Sequence, residues 1–349
     1  MAAATLDAHL ASYGASHGAR GAEVAKIIGV LSRAAVSVLA LIGEGAVNGS
    51  LAAHRITSNL GGDKQRELDV RADEIFLGAL RETSVALYCS EELDSVAVVK
   101  PDGELAVAID PLDGSSNIDT NVSIGTIFSV LPVAGNAADD PNATFLQPGR
   151  RQLAAGFFIY GPQLALALTL GEGTHIFGYS PRSRAFVQMH ENRQIPARAQ
   201  EFAINVSNHR HWDEPIRLYV EDCFKGADGP RERNFNMRWI ASLVADTYRI
   251  LIRGGVFLYP ADDRKGYGRG HLRLVYEANP IALLIEQADG AATDCVVPIL
   301  DIEPQSVHQK VPLVFGASRE VARIGRYHTD PSPIGERSPL FGNRGLFRT

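Results

Sequence analysis

Acidic side chains follow apolar, strand-like runs at three places in this sequence of 349 residues. The runs LAVAI, VALYCS and HLRLVY are followed, in that order, by Asp110 and Asp113, by Glu91 and Glu92, and by Glu277. Because the sites of α/β proteins gather at the carboxyl ends of strands, we expect these acids to lie close together. Crowded carboxylates repel one another unless a proton or a cation intervenes, and carboxylate oxygens suit Mg²⁺ and Ca²⁺. The pattern therefore predicts a site for a divalent cation.

The segment 110-DPLDGSS-116 combines two of these acids with groups that suit an anion. Pro111 biases Asp110 away from helix and cannot donate a hydrogen bond, so we predict that the strand stops at Asp110 and that Asp113 lies on the following turn. A glycine after Asp113 permits a positive φ. The backbone N–H groups that can then open a short helix or nest facing an anion are those of Gly114, Ser115 and Ser116. Acids beside such N–H groups are typical of a divalent cation that bridges to a phosphate.

Other interpretations of these acids stay open at this point. An acidic turn with a helix cap is the commonest use of Asp-Gly-Ser. A calcium loop of the EF-hand type fits badly, because the acids fall at loop positions 1 and 4 with glycine at 5. One acid at a strand end is usually a helix cap, but three such ends are harder to explain in that way. Asp63 and Asp69, in GGDKQRELDV, are further candidates, with a solvated helix start as their alternative.

Apolar patterns predict the elements that hold these acids. Helices are predicted at 21–45, 70–82, 236–252, 279–288 and in a last segment that ends near Tyr327. Strands are predicted at 85–90, 105–109, 122–133, 154–161, 163–170, 255–260, 271–276 and 311–316. The segment 134–149, rich in Gly, Pro, Asn and Asp, is predicted to be an exposed loop. Because strands and helices alternate without a strict βαβ rhythm, the fold class is predicted to be a layered α/β (α+β) sandwich.

A polar stretch, HENRQIPARAQE, predicts the division of the chain. We expect an N-terminal α/β domain at 1–195 that carries most of the acids, a C-terminal α/β domain at 196–329, and an extended tail at 330–349. The net charge of −6 and a pI near 5.9 argue against nucleic acid or an acidic membrane as a partner. They do not exclude an anionic substrate, because local charge governs a site.

Cysteine usage and the apolar segments predict a soluble cytoplasmic protein. The three widely spaced cysteines, Cys89, Cys223 and Cys295, form no CxxC pair and are expected to be core residues of a protein from a reducing compartment. The N-terminus shows no secretory signal. The apolar stretch 27–43 is interrupted by Ser and Arg, and we interpret it as too short and too mixed to span a bilayer.

Seven segments together resemble the class I fructose-1,6-bisphosphatases over about residues 20–328. In chain order they are GDKQRELDV, CSEE, IDPLDGSSNIDTNVSIGTIF, QPGRRQLAAGFFIYG, VADTYRILIRGGVFLYPAD, LRLVYEANP and EQADG. The DPLDGS core alone is typical of the wider lithium-sensitive, magnesium-dependent phosphatase superfamily. Its continuation, SSNIDTNVSIGTIF, narrows the resemblance to the fructose-bisphosphatase branch. The resemblance implies an α-β-α-β-α sandwich of the sugar phosphatase fold. It also implies Mg²⁺-dependent hydrolysis of the 1-phosphate of fructose 1,6-bisphosphate by an activated water.

The resemblance assigns a role to each matching residue. Ligands of two or three Mg²⁺ ions per subunit would be Glu91, Asp110, Asp113, Glu277 and the backbone carbonyl of Leu112. The attacking water would be oriented and deprotonated by Asp69 and Glu92, with Asp63 joining from a mobile loop. The reacting phosphate would be held by Gly114, Ser115 and Ser116, and the distal phosphate by Asn205, Arg238 and Tyr259. Arg238 is expected to reach in from a neighbouring subunit of a homotetramer.

Departures from the family pattern concern the binding of the substrate and the regulation of the activity. His271 stands where a sugar-contacting lysine is usual, next to a matching Arg273, and Asn208 and Trp239 stand where two tyrosines are frequent. Sedoheptulose 1,7-bisphosphate therefore stays open as an alternative substrate. The segment that binds the phosphate of the inhibitor AMP in the family corresponds here to GAEVA. Glu104 and Pro132 stand where the family has cationic groups, so we expect weak or absent AMP inhibition. The loop at 134–149 carries no cysteine, so thiol regulation is not expected.

Two alternative functions fit the sequence less well. Hydrolysis of inositol or nucleotide phosphates is disfavoured by the distal-phosphate residues. A metal-dependent sensor that binds sugar phosphate without turnover is expected to lose the water-activating acids, and both Asp69 and Glu92 are present. A role in gluconeogenesis and a role in the Calvin cycle are equally compatible with the sequence.

Overall fold

The structure of the protein is a computed structural model that describes residues 4–44, 54–58, 64–137 and 139–329, with the backbone alone for 54–58 and 64–66. Its α-helices are α1 (Leu6–Ser16), α2 (Gly18–Glu44), α3 (Glu67–Leu80), α4 (Glu214–Lys225), α5 (Leu243–Arg253), α6 (Asn279–Glu286) and α7 (Ser318–Thr329). The strands before residue 195 are β1 (His54–Ser58), β2 (Lys64–Arg66), β3 (Val85–Ser90), β4 (Ala97–Val98), β5 (Leu105–Asp113), β6 (Ile124–Pro132), β7 (Ala154–Tyr160), β8 (Leu164–Thr169), β9 (Thr174–Ser180) and β10 (Ala185–His190). The later strands are β11 (Glu201–Ala203), β12 (Asn236–Met237), β13 (Val256–Tyr259), β14 (Leu272–Arg273), β15 (Ala291–Thr293), β16 (Lys310–Val311) and β17 (Leu313–Gly316).

Two large sheets organise these elements. The first has eight strands in the order β10-β9-β8-β7-β6-β5-β3-β4, and β3 and β5 run parallel whereas the other neighbours run antiparallel. The second has five strands in the order β12-β11-β13-β17-β15. Nearly every residue of β3 and β5 to β8 is buried, because helices cover both faces of the sheet.

Hydrophobic side chains bury both faces of each sheet. Helices α1, α2 and α3 pack on the outer face of the eight-stranded sheet, α5 and α6 fill the space between the sheets, and α4 and α7 cover the far face of the five-stranded sheet. Large buried aromatic residues occur in all three layers of packing: Phe76 and Phe128, Phe157 and Phe315, and Phe202 and Tyr219. Each such side chain contributes about 1.5–3 kcal/mol of burial free energy. The layer order is α-β-α-β-α, which confirms the predicted fold class.

Helix α2 is longer than the apolar stretch that predicts it. It spans 27 residues, and by length and composition it could cross a membrane. The interpretation as too short is therefore wrong. Its apolar side chains, such as Val24, Ile27 and Leu31, are fully buried against the sheet, and 56% of its most apolar window lies inside the protein. This packing is that of a core helix.

The predicted end of the strand at Asp110 is wrong. β5 continues to Asp113, and its pairing with β6 passes from Asp110 opposite Ile127 to Asp113 opposite Gly125. Three residues of β5 thus oppose two of β6, which is a β-bulge. The bulge accommodates Pro111, whose ring nitrogen cannot donate to the ladder. The carbonyl oxygen of Pro111 accepts a hydrogen bond from Thr126 Oγ1 at 2.9 Å.

Two further predicted elements differ at the site. The predicted helix at 236–252 begins at Leu243, because Ser242 is its N-cap and accepts from Ala245 N at 3.4 Å. The predicted strand at 271–276 is shorter: β14 ends at Arg273, and Leu274–Ala278 form a π-helical turn that leads directly into α6. Glu277 therefore lies on a helical turn and not past a strand end.

Several elements were not predicted. They are α1, α4, β1, β2, β4, β9, β10, β11, β12, β15 and β16, which are short or carry mixed polar and apolar residues. The predicted loop at 134–149 contains one short 3₁₀ helix, Pro141–Thr144, and begins another at Gly149. The three cysteines are buried and free, as predicted.

Candidate active site

A cavity of about 530 Å³ opens where β3, β5 and the π-helical turn meet the start of α5. Every described residue predicted for the site lines it except Arg238. These are Asp69, Glu91, Glu92, Asp110, Leu112, Asp113, Gly114, Ser115, Ser116, Asn205, Tyr259, His271, Arg273 and Glu277. Asp63 lies outside the described residues. Tertiary structure thus brings together residues up to about 200 positions apart in the sequence.

Three buried carboxyl groups form the floor of this cavity. Oxygens of Asp110, Asp113 and Glu277 all lie within 4.8 Å of one another, and the three side chains are 4%, 7% and 6% exposed. Burial raises the pKa of Asp113 to about 7, although a backbone N–H opposes the shift. Burial, and then the charge of Glu91, raises the pKa values of Asp110 and Glu277 well above the usual range. Oxygen donors that repel one another in a buried position fit a hard divalent cation.

Glycine at position 125 lets α5 approach this floor. A Cβ there would lie 2.4 Å from the Phe158 carbonyl oxygen and 2.6 Å from a methyl carbon of Val244. Without that Cβ, Val244 N in the first turn of α5 donates to Asp113 Oδ2 at 3.0 Å. One carboxylate of the cluster is therefore also an acceptor for a helix N-terminus.

Short backbone contacts hold the other two acids of the floor. Leu112 N donates to Asp110 Oδ1 at 3.0 Å across the bulge. Arg273 N donates to Glu277 Oε2 at 2.5 Å, because the π-helical turn folds Glu277 back over the end of β14. The bulge and the π-helical turn thus aim their carboxyl groups at one point.

A second group of acids lines the cavity next to the floor. Arg273 Nη2 lies 3.3 Å from Glu91 Oε1, and both side chains are largely buried. Glu92 follows at the end of β3, where its N–H donates to Ser90 Oγ at 3.2 Å. Asp69, 3% exposed, lines the same cavity from α3. Glu91, Glu92 and Asp69 thus add three acids to the cavity beside the floor.

The residues after Asp113 form the predicted short helix. Gly114 has φ 77°, in the left-handed region, and precedes the 3₁₀ helix Ser115–Thr120. Asn117 N donates to the Gly114 carbonyl at 2.8 Å, and Asn117 Nδ2 donates to the Ala241 carbonyl at 2.7 Å. The predicted use of Gly114 for a positive φ is confirmed.

Aromatic rings form the opposite wall. His271 stacks between Tyr259 and Tyr267, with centroids 5.6 and 5.2 Å away. Trp239 lies 6.0 Å from Tyr259. Asn205 caps a 3₁₀ helix, and its Oδ1 accepts from Ser207 N and Oγ at 3.2 and 2.6 Å. Because the cap uses the oxygen, the NH₂ donor of the amide is what remains for a ligand.

Arg238 is the described candidate that does not line the cavity. It is exposed, its backbone N–H donates to the Phe202 carbonyl at 2.8 Å, and its Nη1 donates to the Met237 carbonyl at 3.0 Å. It follows β12, an edge strand of the five-stranded sheet. Its guanidinium group therefore points along that edge and not into the cavity of its own chain.

The loop before α5 was missed by the sequence reasoning. Ala241, Ser242 and Leu243 line the cavity, and Ala241 has φ 65°, which is rare without glycine. Asp246 holds this loop by accepting from Ile240 N at 3.3 Å, and burial raises the pKa of that acid to about 7. A serine directly before the apolar run of α5 is the N-cap signal that could have revealed the loop.

Comparison with known proteins assigns the family. Family models described as the N-terminal and C-terminal domains of fructose-1-6-bisphosphatase match residues 16–191 and 195–329. The chain is 61% identical over 348 residues to a class 1 fructose-1,6-bisphosphatase of Rhizobium meliloti (strain 1021), with all of both chains covered. It is 49% identical over 346 residues to one of Rhodopseudomonas palustris (strain HaA2), covering 99% of this chain and 98% of the relative.

Solved structures agree with that family. The holo form of Leishmania major fructose-1,6-bisphosphatase aligns with a TM-score of 0.86 at 28% identity, over 94% of this chain and 100% of that chain. Its apo form aligns with a TM-score of 0.82 at 27% identity, over 94% and 99%. The chain therefore belongs to the class 1 fructose-1,6-bisphosphatases and is an enzyme of that family.

Proposed function

We propose that the cavity hydrolyses the 1-phosphate of fructose 1,6-bisphosphate and releases fructose 6-phosphate and phosphate. The observation that carries this proposal is that one cavity holds both kinds of group. It contains three buried carboxyl groups, whose oxygens lie within 4.8 Å of one another, and the N–H groups that follow Asp113. The aromatic wall lies across the same cavity and suits the rest of a sugar bisphosphate. Membership of the fructose-1,6-bisphosphatases supports the choice of substrate.

The donor set fits the divalent metal on which this family depends, and we propose Mg²⁺, with two or three ions per subunit. Asp110, Asp113 and Glu277 supply oxygen donors only, and they are buried and mutually repulsive. Glu91 and the Leu112 carbonyl border them in the cavity and would complete the set. When bound, the ions supply positive charge to the phosphate oxygens and lower the pKa of a water molecule.

Asp69 and Glu92 are proposed to orient that water and take its proton. They line the cavity from α3 and from the end of β3, beside the floor of acids. A carboxylate within hydrogen-bond reach of the water is the group that general-base catalysis requires. Asp63 is proposed to join them, as the resemblance implies, and it lies outside the described residues.

The two phosphates are proposed to bind at opposite ends of the cavity. The N–H groups of Gly114, Ser115 and Ser116 would hold the reacting phosphate, because oriented backbone donors stabilise charge that develops during phosphoryl transfer. Asn205 and Tyr259 would bind the distal phosphate through the amide NH₂ and the phenol. His271 and Arg273 would contact the sugar between the two phosphates.

Arg238 is proposed to complete the distal site of a neighbouring subunit in a homotetramer. Its exposure at a sheet edge and its absence from its own cavity support this role. We further propose a division into domains at 1–195 and 196–329, an extended tail at 330–349 and a cytoplasmic location. The change from the eight-stranded to the five-stranded sheet between His190 and Glu201 supports the domain division.

Sedoheptulose 1,7-bisphosphate is the second candidate substrate. His271 presents a flat ring between two tyrosines where the family usually has a flexible lysine. A stacked ring selects the sugar less specifically than a lysine does, because a lysine can donate three hydrogen bonds to it. A longer sugar would meet the same floor of acids, so the reaction type is unchanged.

Phosphate release from a panel of substrates tests this function. The purified chain is assayed with fructose 1,6-bisphosphate, sedoheptulose 1,7-bisphosphate and inositol 1-phosphate, each with Mg²⁺ and with excess chelator. We expect Mg²⁺-dependent release from fructose 1,6-bisphosphate and none from inositol 1-phosphate. No release from either sugar bisphosphate would contradict the proposal and favour a sensor. Calorimetry would then detect the binding of the sugar bisphosphate directly.

A further inference from the structure

Two loops beside the cavity are joined by one side-chain amide. Asn117 lies in the 3₁₀ helix Ser115–Thr120, whose first N–H groups are proposed to hold the reacting phosphate. Its Nδ2 donates to the Ala241 carbonyl at 2.7 Å, across 124 positions of sequence. Ala241 belongs to the segment 238–242, which we call the distal loop. The proposed chemistry gives Asn117 no role.

The turn that holds the reacting phosphate has hydrogen bonds of its own. Asn117 N donates to the Gly114 carbonyl at 2.8 Å, and Val122 N donates to the Asn117 carbonyl at 3.3 Å. Thr120 Oγ1 donates to the same carbonyl at 3.1 Å. These bonds lie within the turn and its short helix, so they fix its shape locally. The side-chain amide of Asn117 therefore serves the other partner of the contact, which is the distal loop.

The distal loop is held from two sides around a strained residue. Ala241 has φ 65°, and a residue other than glycine keeps such a conformation only where its surroundings impose it. Before Ala241, the N–H of Ile240 donates to both carboxyl oxygens of Asp246 at 3.3 Å, and Asp246 is 1% exposed. On the other side, Asn117 binds the carbonyl of Ala241 itself. The position of the loop thus depends on both contacts.

The contact lies between the two proposed phosphate sites. In the distal loop, Trp239 lines the cavity and lies 6.0 Å from Tyr259, which is proposed to bind the distal phosphate. On the side of the reacting phosphate, a Cβ at Gly114 would lie 3.5 Å from both Asn117 Nδ2 and Ser242 Oγ. The turn and the distal loop are therefore packed side by side, with the Asn117 amide as a bond between them.

We propose that Asn117 is a positioning residue that fixes the distal loop against the turn that holds the reacting phosphate. It thereby sets the distance between the two phosphate sites, and it touches neither the substrate nor a metal ion. The inference rests on the proposed function, which assigns one phosphate to each end of the cavity. Because the distal phosphate helps to align the reacting one with the acids, loss of the contact should impair a bisphosphate selectively.

Two substrates that differ only in the distal phosphate test this inference with the full chain. Fructose 1,6-bisphosphate carries both phosphates, whereas fructose 1-phosphate carries only the reacting one. At saturating Mg²⁺, Asn117→Ala should lower kcat/KM about tenfold for the bisphosphate and less than about twofold for fructose 1-phosphate. Asn117→Gln keeps an NH₂ donor on a longer side chain and should restore most of the loss. If Asn117→Ala does not fold, Asn117→Leu, which keeps the bulk without a donor, takes its place.

Thr120→Val is the matched control. It removes a hydrogen bond to the Asn117 carbonyl but leaves the bond from the Asn117 amide to Ala241 in place. We expect kcat/KM within about twofold of the wild type for both substrates. Wild-type kcat/KM for the bisphosphate in Asn117→Ala, or an equal loss for the two substrates, overturns the inference.

The wild type separates this inference from the proposed function. If it releases phosphate from neither substrate, the proposed function is wrong, and the positioning role fails with it. If it hydrolyses the bisphosphate while Asn117→Ala loses the same fraction of kcat/KM with both substrates, only the positioning role fails.

Discussion

Asp113 accepts a hydrogen bond from Val244 N at 3.0 Å, across 131 positions of sequence. The same carboxyl group belongs to the buried cluster with Asp110 and Glu277. Because Gly125 removes the Cβ that would separate them, the floor of the cavity and the first turn of α5 are in direct contact. The loop before that turn carries Trp239 and Ala241, which line the distal part of the cavity. This hydrogen bond therefore links the floor of acids directly to the helix whose preceding loop lines the cavity.

Substitution of Asp113 separates its two uses. Asp113→Asn keeps an oxygen that can accept from Val244 N but loses the charge, so we expect kcat to fall by more than about 100-fold with a folded protein. Asp113→Ala loses the acceptor as well, and a buried unpaired N–H costs about 1–3 kcal/mol. Phosphate release and chemical denaturation check both expectations. Substantial activity in Asp113→Asn would contradict the metal assignment, and equal stability of the two variants would contradict the anchoring role.

Substitution of His271 tests its proposed contact with the sugar. The ring of His271 stacks between Tyr259 and Tyr267, and a lysine is usual at this position in the family. We expect His271→Gln, which loses the ring, to raise the KM for fructose 1,6-bisphosphate several-fold. His271→Lys is the control and should keep a KM near that of the wild type at the same pH. An unchanged KM in His271→Gln would show that His271 does not contact the substrate.

Hybrid oligomers test the transfer of Arg238 between subunits. Arg238→Ala should raise KM for fructose 1,6-bisphosphate by about 10-fold or more, because a charged hydrogen bond is worth about 1.5–3 kcal/mol. Subunits of this variant are then mixed with inactive Asp113→Asn subunits, which still carry Arg238. Recovery of a low KM in the mixture is expected, since the site of the Arg238→Ala subunit keeps its acids and receives Arg238 from an Asp113→Asn neighbour. A KM that stays high in verified hybrids would place Arg238 outside the neighbouring site.

His328 gives stability a defined pH dependence. Burial alone would lower its pKa, but the hydrogen bonds to Asp213 and Cys295 outweigh burial and raise the pKa to about 10. A pKa raised on folding contributes stability that is complete below the unfolded value near 6.5 and is lost as pH rises towards 10. The melting temperature of His328→Gln should therefore lie below that of the wild type at pH 6, and the difference should vanish near pH 10.

An exposed histidine provides the control for that measurement. His209 lies 3.8 Å from Glu221 on the surface, and exposed pairs of this kind contribute little. His209→Gln should melt within about 1 °C of the wild type across the same range. A His328→Gln difference that stays constant with pH would indicate lost packing and not lost charge.

AMP is expected to inhibit this enzyme weakly or not at all. The segment 21–25, in α2, lacks the threonines of the family's cradle, and Glu104 and Pro132 replace its cationic contacts. Glu104 carries a carboxylate that would repel a phosphate, and its partner Arg20 lies 3.9 Å away on an exposed surface. A direct phosphate assay, free of coupling enzymes, measures the response. Half-inhibition at low micromolar AMP would contradict this prediction.

Residue types and their spacing were sufficient to predict which kind of chemistry this protein carries. Acids after apolar runs, with Gly114 and two serines behind Asp113, are enough to predict oxygen ligands beside an anion site, because residue type and spacing decide both. The pattern named the acids and the Gly-Ser-Ser stretch that line the cavity, whereas Leu112, Asn205, Tyr259, His271 and Arg273 were named only from the family resemblance. Its continuation through the chain identified the family, which the comparisons confirm.

How those groups face one another depends on the tertiary structure. A bulge at Pro111 and a π-helical turn at Glu277 are invisible to periodicity, since each changes the register by a single residue and leaves the apolar pattern intact. The bond from Val244 to Asp113 joins segments that are distant in sequence. Local residue preferences carry no information on such pairs, because layer packing alone brings them together.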